Sequence, residues 1–395
     1  MKGKTIVLFD DQLRDQLLPL TFTRPAACLR SGIMTNAERW HRITNQEPVF
    51  LTEDYLHQKY PAMNGGPKLC FNGRYLPWKG LADMALALQE GEAIFDGDVL
   101  VALATQDTFH DLTNLHQSAL HAQKIKYEGQ LIQYNRPWHL FQMLDQLIRL
   151  DFEYLCGGRV SEPLSDSNTL LGNNIFIEKG AKVEAATINT TTGPVYIGAN
   201  AEIMEGSLIR GPFALGDYAA LKMGAKVYGA TSIGPHCKVG GEVNNVSIAG
   251  YSNKAHDGFL GNAVIGEWCN LGADTNNSNL KNNYAEVRLY DYVTGRFIAT
   301  GLTFCGLIMG DHSKCGINTM FNTGTVVGVN ANIFGDGFPR NFIPSFSWGG
   351  AAGFSTYKLS DALQVAQLVM ARRNMQMDDG DRHILSKVFE LSEKN

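Results

Sequence analysis

The segment NKAHDGFLG, Asn253–Gly261, places an imidazole, His256, two residues after Lys254 and directly ahead of an Asp-Gly pair. Histidine has an ordinary pKa of about 6.5, so it can take a proton near neutrality. An ammonium must shed a proton before its lone pair can attack a carbonyl. A positioned imidazole therefore suits acyl transfer to an amine. The oxyanion that forms needs N–H donors, which backbone amides at tight turns supply. Asp257 is placed to orient the ring. His236 and His312 read instead as solvated turn residues, and with His256 they are too loosely spaced for a three-histidine zinc site. The cluster NNSN, Asn276–Asn279, is either a set of ligand contacts or a run of turn residues, because asparagine tolerates left-handed backbone.

The element that must carry His256 is a repeat. Ile197, Ile203, Ile209, Leu215, Leu221, Val227, Ile233 and Val239 fall at steps of six without a gap. Leu171, Ile177 and Val183 keep the step upstream. Ile265 and Leu271 resume it after the His256 segment, and Met309, Cys315, Phe321, Val327 and Ile333 extend it. Neither a helix nor a plain strand has this period. One short strand plus one turn does, with one large aliphatic residue pointing inward. Three such units close a triangular coil, and stacked coils pair their strands about 4.8 Å apart. The reading is a parallel β-helix over 166–345, whose rhythm pauses at His256 because the chain leaves the coil there.

Residues 1–165 carry no such beat. KTIVLFDD reads as a buried strand, LADMALALQEGE (Leu81–Glu92) as an amphipathic helix and VLVALA (Val99–Ala104) as another strand. Alternating strands and helices predict an α/β, Rossmann-like domain. WHLFQMLDQLIRLDFEYL (Trp138–Leu155) reads as a helix leading to the repeat. Residues 346–395 form a helical tail, with Ser360 at an N-cap and a second short helix over HILSKVFELSEK.

Two stretches resemble known families. LRDQLLPLTFTRPAACLRSG (Leu13–Gly32) is similar to the opening of sugar-1-phosphate nucleotidyltransferases, with Arg14, PLT and TRP in the matching places. The resemblance implies that Arg14 and Arg24 meet nucleotide phosphates. FDDQ (Phe9–Gln12) replaces the family's glycine-rich loop, and Ala26 replaces its lysine, for which Arg24 or Arg30 would have to stand in. DGDV (Asp96–Val99) makes Asp98 a candidate Mg²⁺ ligand, the alternative being a solvated turn.

The second stretch, Gly240–Tyr284, resembles the acetyltransferase half of the bifunctional N-acetylglucosamine-1-phosphate uridyltransferase / glucosamine-1-phosphate acetyltransferase family. This resemblance implies a left-handed hexapeptide-repeat β-helix, a homotrimer, acetyl-CoA as cosubstrate and His256 as general base. Asn270 and Asn279 would line the sugar or acetyl site, with Lys254 and Lys281 facing sugar phosphate.

Three functions compete: an acetyl-CoA-dependent sugar-phosphate N-acetyltransferase, a nucleotidyltransferase whose β-helix only oligomerises it, and a non-catalytic sugar-nucleotide sensor. The net charge of −5 without a basic block argues against nucleic acid as partner. No apolar run is long enough to span a membrane. The seven cysteines are scattered without a CxxC pair and read as reduced thiols of a cytoplasmic protein.

Overall fold

The computed structural model describes residues 4–61, 65–109 and 111–393. These fall into two compact units. One gathers Met1–Leu29, Met34–Asn135 and Asp379–Ile384, and the other gathers Arg30–Ile33, Arg136–Asp378 and Leu385–Asn395.

The first unit holds a six-stranded mixed sheet. Its strands are β1 (Thr5–Phe9), β2 (Val49–Leu51), β3 (Lys68–Asn72), β4 (Glu92–Asp96), β5 (Val99–Thr105) and β6 (Gln123–Ile125). The order is β2-β1-β3-β5-β4-β6. β1 runs parallel to both neighbours, and β5 runs antiparallel to β3 and β4. Alternate residues of β1 enter two separate cores. Ile6 and Leu8 pack with Trp40 and Phe71, and Val7 and Phe9 pack with Leu51 and Leu103. Both faces are covered, which is why TIVLF and VLVALA read as unbroken apolar runs. Helix α1 (Asn36–Thr44) starts at a capping box between Thr35 and Glu38. Helix α2 (Lys79–Ala87) ends earlier than the expected Glu92, because Gly91 turns the chain at φ +79° into β4. Helix α3 (Leu112–Leu120) completes the unit.

The second unit opens with the short helix α4 (His139–Gln142) and with α5 (Leu144–Cys156). A parallel β-solenoid of about 10 turns follows. Three inward ladders run along it. One carries Ile188, Ile209, Val227, Val243 and Leu260. The second carries Ile177, Ile197, Leu215, Ile233, Ile248, Ile265, Met309, Val327 and Ile343. The third carries Val183, Ile203, Leu221, Val239, Lys254, Leu271, Cys315 and Ile333. At the open end Leu170 pairs with Ile188, while Leu171, counted on the beat, is 47% exposed.

The pause at His256 has a different cause from the one expected. The chain does not leave the coil there; the coil shortens. Lys254 pairs with Val239 after 15 residues, where Val239 follows Leu221 by 18. The corner is drawn straight, so that one nine-residue strand, Glu242–Gly250, serves two faces, and Phe259–Glu267 repeats the pattern above it. The true excursion comes later. Leu280 and Phe304 bridge the neck of an insertion that carries the hairpin Arg288–Asp291/Arg296–Ala299. The strand Ser347–Gly350 still pairs with the coil below it and then turns back as a hairpin. Helix α6 (Leu359–Ala371) follows with Lys358 as its cap, so Ser360 lies in the first turn and not at the N-cap. Helix α7 spans Asp379–Ser392 and begins before the expected HILSKVFELSEK. Among the described residues no helix is long and apolar enough to cross a membrane, and all seven cysteines are free thiols.

Candidate active site

In the first unit, the loop after β1 fills itself. Asp11 accepts two hydrogen bonds from the Arg74 guanidinium, Nε at 2.8 Å among them, and one from the Asn72 amide at 2.8 Å. Arg74 is fully buried and also donates to the Tyr134 carbonyl at 3.0 Å. Burial pushes the Asp11 carboxyl up, but the hydrogen bonds and charge of Arg74 outweigh it and hold the group below its ordinary value. Asp10 accepts from the Ala26 amide at 2.9 Å and from the Thr52 hydroxyl. Here burial prevails over the Arg14 charge and raises the carboxyl.

Arg14 is committed to this network. Its Nε lies 3.2 Å from the Asp10 carboxylate, and its terminal nitrogens donate to the Thr21 carbonyl, to Tyr55 Oη at 3.2 Å and to Asp15 at 3.1 Å. A guanidinium 4% exposed and so occupied offers little to a triphosphate. Arg24 is buried as well. Arg30 is counted with the solenoid unit, where it donates to the carbonyls of Ala249 at 3.1 Å and Ile33 at 2.6 Å. Asp98 is exposed in the two-residue turn, Gly97-Asp98, of the β4–β5 hairpin. Among the described residues no group of three histidines, cysteines or carboxylates is placed to hold a metal ion.

The second unit offers an open site. A cleft of about 640 Å³ has as its floor the outward residues of the third ladder's strands, Lys238, Asn253, Asn270 and Lys314. Each stands one residue before an inward position. His256 lines one edge and Tyr251 and Trp268 the other. Val365 and Val369 of α6, with Arg372 and Arg373 at its end, close the cleft from above. The lining has two lysines, two arginines and no carboxylate. Arg373 donates to the side-chain amide oxygen Oδ1 of Asn253 at 2.9 Å. Lys314 donates to the His312 carbonyl at 2.7 Å, and burial lowers its pKa to about 8. Lys238 is also lowered, first by burial and then by Arg373, Lys222 and Arg372. Cations gathered around open space with no carboxylate among them form a site for an anion.

His256 is exposed, and none of the hydrogen bonds found among the described residues engages its imidazole. Asn270 shares the cleft with it. Three other predicted residues do not line it. Lys254 is 2% exposed and points into the coil, where its ammonium donates to the backbone carbonyls of His256 at 2.6 Å and Asp257 at 3.1 Å. It cannot face a sugar phosphate. Asn279 donates to the Asn262 side chain at 2.7 Å, and Lys281 donates to the Glu286 carbonyl at 2.8 Å. Within the NNSN cluster Asn277 is the buried member, accepting from the Gly261 amide at 2.7 Å and donating to its carbonyl at 2.9 Å.

The two histidines expected to be solvated turn residues are stacked: His312 is buried, and His236 is half-buried at its turn. Tyr218, His236, Tyr251, Trp268 and His312 stack along one corner, with successive ring centroids 4.9, 4.8, 4.3 and 6.2 Å apart. All five have φ between 54° and 61°. Left-handed backbone costs such residues roughly 1–2 kcal/mol each, and the stacking offsets part of it. The signal for the missed cations was present in the sequence. Lys238 and Lys314 occupy the outward place beside the beat, and Arg372-Arg373 closes an amphipathic helix.

Residues 6–160 match the family model for sugar nucleotidyl transferase. The chain is 26% identical over 211 residues to the "Bifunctional protein GlmU" of Synechococcus elongatus, covering 49% of this chain and 41% of that protein. It is 28% identical over 232 residues to the "Bifunctional sugar-1-phosphate nucleotidylyltransferase/acetyltransferase" of Sulfurisphaera tokodaii, covering 57% of this chain and 50% of that protein. The chain thus spans half or less of the length of these relatives. Among solved structures, LpxA, a UDP-N-acetylglucosamine acyltransferase from Bacteroides fragilis, aligns at 14% identity with a TM-score of 0.30, over 57% of this chain and 96% of that one. The chain is a homologue, at modest identity, of the bifunctional nucleotidyltransferase/acetyltransferase proteins, with the sugar nucleotidyl transferase domain over residues 6–160.

Proposed function

We propose that the second unit transfers an acetyl group from acetyl-CoA to the amine of an amino-sugar 1-phosphate. The observation that carries this reading is the exposed imidazole of His256 at the rim of a cleft that holds Lys238, Lys314, Arg372 and Arg373 without a carboxylate. Both substrates are anionic, and such a lining attracts them. The sugar amine attacks the thioester carbonyl, a C–N bond forms, and His256 takes the ammonium proton. Collapse of the tetrahedral intermediate breaks the C–S bond, and the departing coenzyme A thiolate takes a proton. Asn270 is assigned to hold the acceptor or acetyl group in the cleft. Asn279 and Lys281 are kept as sugar contacts through a neighbouring copy in a homotrimer. The same chemistry and the free thiols fit a cytoplasmic enzyme.

The domain match at residues 6–160 favours a second reading, nucleotidyl transfer to the sugar phosphate. The closed Asp10–Arg14 and Asp11–Arg74 pairs weigh against efficient turnover there. The deciding experiment supplies purified protein with acetyl-CoA and a panel of amino-sugar 1-phosphates, then with UTP or dTTP and Mg²⁺. Acetylation that His256→Ala abolishes supports the proposal. Acetylation at the parent rate in that variant removes it, and robust nucleotide-sugar formation lost in Arg14→Ala would establish the second reading.

A further inference from the structure

The third ladder gives its inward places to Val183, Ile203, Leu221, Val239, Leu271, Cys315 and Ile333, with Lys254 as the interruption. An ammonium among apolar side chains is unfavourable unless hydrogen bonds replace its water. Its replacements are the carbonyl oxygens of His256 and Asp257. Both belong to the turn that presents the imidazole. The Asp257 carbonyl also accepts from the Asp274 amide of the next coil at 3.1 Å, so the turn is held from inside and from above.

We propose that Lys254 is an internal brace that fixes the His256 turn, a positioning residue that never meets substrate. Its consequence for rate rests on the acetyl-transfer reading above, while its consequence for the turn does not. Burial lowers the Lys254 pKa to about 8, against the raising effects of Asp257 on its own turn, Asp274 on the next coil and the Cys315 thiol. Above that pH the two charge-assisted bonds become neutral ones about half as strong.

The test uses the full chain and the variant Lys254→Met, whose unbranched side chain fills the ladder without a donor. Hydrogen–deuterium exchange at pH 7 should be faster on the order of tenfold at the Asp274 and Glu242 amides, which donate to the Asp257 and Gly258 carbonyls of the turn, the worth of one or two charged hydrogen bonds. The melting temperature should hold or rise, and kcat should fall about tenfold with KM within about twofold, as expected when a base is misplaced and binding is spared. Exchange equal to the parent's overturns the brace. Faster exchange with unchanged kcat keeps the brace and discards His256 as the base. If Lys254→Met does not fold, Lys254→Gln decides. It keeps an uncharged donor in the ladder, so the Asp274 and Glu242 amides should exchange faster than in the parent by a smaller factor, and exchange equal to the parent's overturns the proposal.

Discussion

Two clusters of charge in this molecule, one read from sequence as a phosphate site and one that the sequence reading missed, are built in opposite ways. Around the loop after β1, every cation faces an anion of the same unit. Arg74 grips Asp11 and Arg14 lies on Asp10, all of them buried. On the solenoid, Lys238, Lys314, Arg372 and Arg373 gather around open volume with no carboxylate among them. Charge neutralised within the fold serves the fold. Charge gathered without a carboxylate, where burial and then Arg373, Lys222 and Arg372 lower the pKa of Lys238, is kept for something that arrives.

The largest effect that would sharpen this contrast is catalytic. His256→Ala should lower kcat for acetyl transfer about 10²–10⁴-fold, the usual worth of a positioned base. Its melting temperature should move little, since an exposed side chain contributes little packing. Steady-state kinetics beside a thermal melt checks both.

Next comes a stability effect in the other cluster. Arg74→Met should cost about 3–5 kcal/mol, because it strands the buried Asp11 carboxylate. Acetyl transfer at a permissive temperature should persist. The sign with pH follows from the lowered Asp11 pKa. Its contribution is present above the unfolded value and is lost as pH falls through the lower folded value. Denaturant titrations of parent and variant should therefore converge in acid. A gap that widens in acid would contradict the pairing.

Smaller is the effect on binding. Lys314→Met with Arg373→Ala should raise KM for acetyl-CoA about tenfold, leaving kcat nearly unchanged, since these side chains would hold substrate and transition state alike. The smallest effect concerns Lys254. Its folded pKa of about 8 lies below its ordinary, unfolded value of 10.5. The cost of burying its charge is thus fully present below pH 8 and is relieved as pH rises toward 10.5. Any stability advantage of Lys254→Met should shrink across that window. An advantage that is flat with pH would show that the amine does not titrate there.

The solenoid was legible because its ladders repeat a local rule, one aliphatic residue per strand, which the eight uninterrupted positions from Ile197 to Val239 display. The rule hid Lys254, since counting in sixes carries no provision for a coil of 15 residues or for a cation that faces inward. His256 and Asn270 line the cleft, and Asn277 of the NNSN run turns into the coil, which nothing local in the sequence distinguishes from Asn279. The closed network of the first unit was beyond reach in sequence. Asp11 and Arg74 are 63 residues apart, and only the pairing of β1 with β3 brings them together. The stack of His236 and His312 was hidden in the same way, because a corner residue's neighbours are one coil away.

Calorimetric titration of the full chain with acetyl-CoA at low and high salt tests the central contrast most directly. The account predicts saturable binding that weakens as salt is raised and that Lys314→Met with Arg373→Ala weakens about tenfold. Arg14→Ala should bind like the parent. Binding that ignores both salt and the cleft cations, or that depends on Arg14, would contradict it.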